Sequence, residues 1–310
     1  MRDFFVKQMI MDKEHGVLLK DYLRHLGISK RLLVDIKFGG GDLFVNGKHV
    51  TVRYVLQKGD ELVIRFPLEK VSESLRPEMI PLNILFEDDH VLVLNKQPYL
   101  SSIPSREHPS GSLANGLIHY YRQNDYQATV HLVSRLDRDT SGVMLVAKHR
   151  FAHSLLSNLQ KNGKVKREYR AIVQGLIREE QGTIDAPIGR KTDSIIERSV
   201  ISEGQKAVTH FKVNNRIGDL TDVSLHLETG RTHQIRVHMS HIGHPLCGDT
   251  LYGGSRALIN RQALHSEKLT FIHPFTREEL TFNAPIPQDI QQLLGDRPAD
   301  FSLLKENDRV

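Results

Sequence analysis

Apolar residues recur along this chain at helical and then at strand spacing. Leu19, Tyr22, Leu23 and Leu26 follow a helical period closed by Gly27, and Ser29 stands as an N-cap before Leu32, Leu33 and Ile36. Gly39, Gly40 and Gly41 end this second helix. The stretch 42–50 (DLFVNGKHV) reads as a hairpin turning at Asn46-Gly47. Residues 68–81 mix Pro, Ser and charge without a period and predict a linker. Beyond it, 84–96 (ILFEDDHVLVLNK) predicts two strands joined at Asp88–His90. Helical patterns follow at 113–123 and at 150–162, where Phe151, Leu155, Leu156 and Leu159 would face a core. Strands are expected at 143–147, 168–174, 207–213, 222–228, 267–272 and 279–283.

Strands outnumber helices and do not alternate regularly with them. The expectation is an α+β protein: a catalytic domain over 82–287 with a mixed, largely antiparallel sheet, preceded by a small α/β module over 14–67. Residues 288–310 carry no readable function and are expected to be a frayed tail. With 310 residues and 39% hydrophobic content, the chain can bury a substantial core. No apolar run approaches a membrane span and the first residues lack a signal-peptide core, so a cytoplasmic protein is expected. A single cysteine, Cys247, excludes an intrachain disulfide and a Cys-rich metal site.

The net charge is only +5, so its distribution matters more than its total. Residues 1–70 hold 13 Lys/Arg against 9 Asp/Glu, an excess of four in less than a quarter of the chain. Such a module can contact phosphates, although a merely solvated surface has the same composition. Lys30, Arg31 and Lys37, on or beside the second helix, are the candidate contacts.

The most informative stretch is 134–142 (SRLDRDTSG). Asp137 stands between Arg135 and Arg138 ahead of a Ser/Thr/Gly turn, a setting that suits a nucleophile or base. The plainer alternative is a cluster of ordinary turn formers. A second cluster, 230–238 (GRTHQIRVH), decides between them. Together with 166–175 (KREYRAIVQG), 243–253 (GHPLCGDTLYG) and 82–96 (LNILFEDDHVLVLNK), these segments resemble, in letters and order, the RluA family of pseudouridine synthases over residues 80–285. Residues 14–67 resemble the S-four-type RNA-binding module.

The resemblance implies a pseudouridine synthase fold and the isomerisation of uridine in structured RNA. The glycosidic bond is cleaved, the uracil turned and rejoined through carbon 5, with no cofactor and no metal. Asp137 matches the catalytic carboxylate, as either a nucleophile at the anomeric carbon or a base toward a ribose proton. Arg231 matches the arginine that pairs with it, and Tyr169 the aromatic that packs on the uracil. Arg135 matches the arginine that fills the space of an extruded nucleotide, whose unstacking costs a few kcal/mol. Family members with the appended module commonly modify large-subunit ribosomal RNA, which is the first expectation, with transfer RNA second and a monomer as the working form.

Other readings are a catalytically silent RNA-binding or ribosome-assembly factor on the same fold, and an N-glycosylase that would release free uracil. Intact Asp137, Tyr169 and Arg231 argue against the first. His233, His238, His241 and His244 crowd one region, but no carboxylate or cysteine completes a metal-binding signature. Deaminase and Walker-type motifs are absent. Two departures from the family pattern bear on the cleft: Ser134 stands where members often carry His, and 95–105 (NKQPYLSSIPS) replaces the usual rim.

Overall fold

The computed structural model describes residues 4–69, 75–105, 109–126, 128–194 and 196–295. The first module contains β1 (Phe5–Met9), α1 (Leu19–His25), α2 (Lys30–Phe38), β2 (Asp42–Val45), β3 (Lys48–His49) and β4 (Glu61–Arg65). Its sheet has the order β1-β4-β2-β3. Ser29 caps α2 by accepting from the Leu32 amide at 3.2 Å. Asn46 and Gly47 both take positive φ (50° and 74°), the pair of values that a tight primed hairpin turn demands. Leu19, Leu23, Ile36, Leu62 and Ile64 are buried between the two helices and the sheet.

The larger domain comprises β5 (Asn83–Glu87), β6 (Val91–Lys96), α3 (Leu113–Gln123), β7 (His131–Leu132), β8 (Ser141–Ala147), α4 (Arg150–Lys161), β9 (Val165–Gln174), β10 (Gln181–Asp185), β11 (Ile188–Arg190), β12 (Arg198–Val200), β13 (Val208–Ile217), β14 (Leu220–Leu227), α5 (Gln234–His241), β15 (Leu264–Ile272), β16 (Glu279–Asn283) and α6 (Gln288–Gly295). Its main sheet runs β10-β13-β14-β9-β15-β8-β6-β5, with β16 on β15 and β7 on β8. All pairings in it are antiparallel except β8 with β15. The α+β class with a mixed, largely antiparallel sheet is therefore as expected from the sequence.

The continuous apolar runs of β6 and β8 follow from burial on both faces of this sheet. Leu92, Leu94, Met144 and Val146 join the core on one side; Val91, Val93, Val143, Leu145 and Ala147 join the core on the other. Gly142 sits where β8 meets β15, with φ 116° and the backbone of Ser266 so near that a Cβ would lie 2.2 Å from its carbonyl oxygen. Only glycine fits that approach.

Helix α4 belongs to both cores, which refines the expectation that its apolar side faces one. Phe151 and Leu155 pack with the first module, whereas Leu156 and Leu159 pack with the larger domain. Phe151 stacks on Phe66 with ring centroids 5.2 Å apart, Arg150 is ion-paired to Asp35, and Ser154 donates to the Gly27 carbonyl at 3.3 Å.

Three boundaries are corrected. The first module, expected from residue 14, begins earlier, because β1 pairs with β4 and completes its sheet. The tail expected from 288 begins as helix α6, which buries Ile290 and Leu293 and pairs Asp289 with buried Arg261; residues 296–310 lie outside the described residues. Ile290, Leu293 and Leu294 do fall at helical spacing, but one i, i+3, i+4 set in eight residues is too short a pattern to reveal a helix. The stretch 68–81 is strapped down wherever it is described. Glu69 accepts from the Arg150 amide and faces His131 at 2.6 Å, Arg76 accepts from Asn115, and Ile80 packs on the core; residues 70–74 lie outside the described residues.

Candidate active site

The loop between β7 and β8 carries Asp137, and its backbone is held on every side. The Ser102 hydroxyl donates to the Leu136 carbonyl at 2.6 Å and accepts from the Leu136 amide at 3.2 Å. Lys96, at the end of β6, donates to the carbonyls of Gln97, Leu100 and Arg138 at 2.8, 2.8 and 3.0 Å. Arg261 donates to the Asp139 carbonyl at 3.0 Å, and the Thr140 amide closes a turn onto the Asp137 carbonyl. Burial pushes Lys96 down to about 7 while Asp139 and Asp137 pull it up. Three carbonyl acceptors match the three N–H bonds of an ammonium, so the group sits here as a cation. A reacting carboxylate on a loop is thus placed by rigid neighbours, as precise chemistry requires.

Asp137 lines a cleft of about 430 Å³ with Arg135, Arg138, Arg167, Tyr169 and Arg231, and it is the one carboxylate among the described residues that do so. Its side chain is 27% exposed. Oδ2 accepts from Arg236 Nη1 at 3.0 Å, and Oδ1 has no hydrogen-bond partner among the described residues. Arg236 is buried on α5, and its other nitrogens, Nε and Nη2, bind Asp249 at 2.6 and 2.8 Å. Burial disfavours the Arg236 charge, but the hydrogen bond and charge of Asp249, with those of Asp137, more than offset it and raise its pKa.

This corrects the expected pairing: the arginine on Asp137 is Arg236, not Arg231. Arg231 lies before α5, on the cleft wall, and its Nε donates to the Lys206 carbonyl at 3.0 Å. The physical reason is where the helix begins. His233 takes the left-handed N-cap position (φ 58°), so Gln234 to Met239 are all buried and Arg236 turns toward the Asp137 loop. No signal for it stood in the sequence: an arginine alternating with Ile235, Val237 and Met239 reads as the polar side of the segment, and its burial follows from packing on α5. Lys96, Ser102 and Arg261 were also missed, because their contacts with the Asp137 loop cross 34 to 122 positions of chain, and so was Asp249, thirteen positions after Arg236.

The other candidate residues separate into two groups. Tyr169 on β9 is buried at 4% exposure, lines the cleft, and its hydroxyl has no hydrogen-bond partner among the described residues. Arg135 is exposed at the same cleft and forms no ion pair among the described residues. Lys30, Arg31 and Lys37 are exposed on α2, outside this cleft. His233 faces Asp137 Oδ2 at 3.8 Å, with its pKa lowered by burial against the pull of Asp137, while its Nδ1 meets the Tyr252 hydroxyl at 2.8 Å. His238 is bound by Thr209 and the Ala186 carbonyl, and His244 by the Gln174 carbonyl. Among the described residues, no cluster of three or more His, Cys, Asp or Glu is placed to hold a metal ion. A larger cavity of about 1110 Å³ lies between the module and the domain, but the acids on its lining, Glu69, Glu87, Asp89 and Asp125, outnumber Lys148 and Arg150, a balance that disfavours phosphates.

Residues 90–241 match the family model described as RNA pseudouridylate synthase. A Bacillus subtilis (strain 168) protein named uncharacterized RNA pseudouridine synthase YjbO is 67% identical over 276 residues, 89% of this chain and 98% of that one. Ribosomal large subunit pseudouridine synthase D of Xanthomonas campestris pv. campestris is 39% identical over 271 residues, 82% of this chain and 81% of that one. Among solved structures, human RNA pseudouridylate synthase domain containing 1 superposes with a TM-score of 0.55 at 26% identity, covering 70% of this chain and 86% of its own. The fold and these likenesses define an isomerase that acts on uridine in RNA. The chain belongs to the RluA/RluD-type RNA pseudouridine synthases.

Proposed function

We propose that Asp137 is the reacting carboxylate and that the RNA target is large-subunit ribosomal RNA. What carries the first part is that, among the described residues, Asp137 is the single acid lining an arginine-rich cleft, with one oxygen held by Arg236 and the other without a hydrogen-bond partner. The second part rests on the 39% identical relative named for the large ribosomal subunit.

A uridine drawn into a cleft of this size meets Asp137 with its sugar and Tyr169 with its base. Arg236 holds Oδ2, so Oδ1 does the work. It attacks C1′, or takes the proton at C2′, as the C1′–N1 bond breaks and uracil leaves with the bonding electrons. The base then turns on the Tyr169 ring and C5 bonds to C1′ as the Asp137–C1′ ester bond breaks or, on the base route, as Asp137 returns its proton to C2′; the proton on C5 is then lost and N1 takes one up, which restores the ring. Every atom of the substrate is retained in the product, so the reaction needs no oxidant or reductant. Arg135 enters the space vacated in the RNA, where a planar guanidinium can stack. The first module acts as the S-four-type RNA-binding domain, with Lys30, Arg31 and Lys37 toward phosphates.

The test is to map pseudouridines in ribosomal and transfer RNA of cells with and without this protein. A large-subunit site should vanish and return with the wild-type chain but not with Asp137→Asn. Restoration by Asp137→Asn refutes the catalytic assignment, and a missing site confined to transfer RNA refutes the target. A deuterium isotope effect at C2′ separates the base route from the nucleophilic one.

A further inference from the structure

A second cleft of about 670 Å³ runs between α2 and α4, where the first module meets the larger domain. Every Lys, Arg, Asp or Glu on its lining is a cation: Arg24, Arg31, Arg150 and Lys161. In a chain with 42 Lys/Arg and 37 Asp/Glu, a lining of four cations and no acid among the described residues is not the average surface. Two of the four are already engaged, since Arg150 is paired with Asp35 and Arg24 lies 3.7 Å from Asp21. Arg31 and Lys161 are exposed and form no ion pair among the described residues. Ser154, Ser157 and Asn158 add small hydrogen-bonding groups to the α4 wall, suited to phosphate and sugar oxygens.

The position of this cleft gives the charge a direction. Lys161 at the end of α4 follows Gln160, which lines the Asp137 cleft. His131 lines the cationic cleft, and the residues directly after it, from Leu132 to Arg138, wall the Asp137 cleft. The two depressions are therefore consecutive along both α4 and the β7 loop. Twelve helical residues span about 18 Å, room for roughly five nucleotides at the ~3.4 Å axial spacing of a B-form strand taken as a guide.

We propose that the α2–α4 cleft is a phosphate track that leads one strand of the substrate RNA from the first module to Asp137, with Arg31 and Lys161 as its free cations. The track rests on the RNA-isomerase reading above and extends it by naming the path of the RNA flanking the target uridine. It also makes the contact between module and domain part of the binding surface, because one wall comes from each. An acidic protein would satisfy the same charges, but continuity with the Asp137 cleft favours the nucleic acid that must reach it.

Fluorescence anisotropy with a fluorescein-labelled RNA stem-loop of about 25 nucleotides, titrated between about 50 and 200 mM salt, tests the track. The double variant Arg31→Gln/Lys161→Gln should lower the slope of log K against log salt by about two and weaken binding roughly tenfold at the lowest salt. Lys48→Gln/Arg53→Gln removes the same charge from exposed sites that do not line the cleft, and should change the slope by less than about one. An unchanged slope in the first variant, or an equal fall in both, overturns the track. So does a labelled polyglutamate peptide that loses affinity in the first variant while the RNA does not. Failure of the enzymatic reading is distinguishable: a wild-type protein that isomerises no uridine, yet shows the cleft-specific slope change, loses its proposed chemistry and keeps its track.

Discussion

Exchanging arginines decides which guanidinium supports Asp137. Arg236 makes three charge-assisted hydrogen bonds, two to Asp249, whose side chain is 1% exposed, and one to Asp137 at 3.0 Å. Arg236→Gln leaves the Asp249 carboxylate buried without a counter-charge, and removing one partner of a buried pair costs about 3–5 kcal/mol. The melting temperature should fall by roughly 5–15 °C. The attraction at Asp137 is on the order of 5 kcal/mol at an effective dielectric near 20, reduced because that carboxylate is partly exposed. If half of it holds the acid in place for the transition state, single-turnover pseudouridine formation should slow by about 10²-fold. Arg236→Lys keeps the charge but loses the planar fork, which reaches Asp249 and Asp137 together, and should recover only part of either loss. Arg231→Gln removes one bond from an exposed side chain to a carbonyl and should change stability by less than about 1 kcal/mol, with its effect on RNA binding. If Arg231→Gln abolishes turnover while Arg236→Gln keeps both activity and melting temperature, the reasoning is refuted.

Ser102→Ala leaves the buried amide and carbonyl of Leu136 without partners and should destabilise by roughly 1–3 kcal/mol; a denaturation midpoint equal to wild type would show that the loop holds itself. Tyr169→Phe keeps the ring and removes a hydroxyl that has no hydrogen-bond partner among the described residues. Its stability should change by less than about 1 kcal/mol, so a fall in single-turnover rate would report chemistry of the hydroxyl, and an unchanged rate would confine Tyr169 to packing. Burial pushes His149 down to about 3, so between its unfolded value and that pH the unfolded chain binds the extra proton. Its contribution is intact above the unfolded pKa and is lost as pH falls toward 3, by about 2 kcal/mol at pH 5. Urea unfolding at neutral pH and at pH 5 measures this loss, and a loss of the same size in His149→Gln would assign it elsewhere.

Deleting the first module is a poor probe of RNA binding, and the reason is structural. Phe151 and Leu155 on α4 complete that module's core, so deletion would expose them and confuse lost binding with lost stability. Surface substitutions at Arg31 and Lys161 avoid this.

Local physics was legible in the chain itself. The Ser29 cap, the Asn46-Gly47 turn, the buried runs of β6 and β8 and the turn bearing Asp137 each arise from neighbours within a few residues, whose spacing and backbone preferences do not depend on the rest of the fold. Arg231 and Arg236 show where that ends. They differ by five positions in one motif, and the start of α5 at the left-handed His233 decided which of them meets Asp137. Likewise Lys96, Ser102 and Arg261 reach the Asp137 loop across 34 to 122 positions of chain. Only the packing of β6, β8, α5 and the segment after α5 around one sheet brings those charges together, because a contact between distant segments is a property of topology and leaves no period in the sequence.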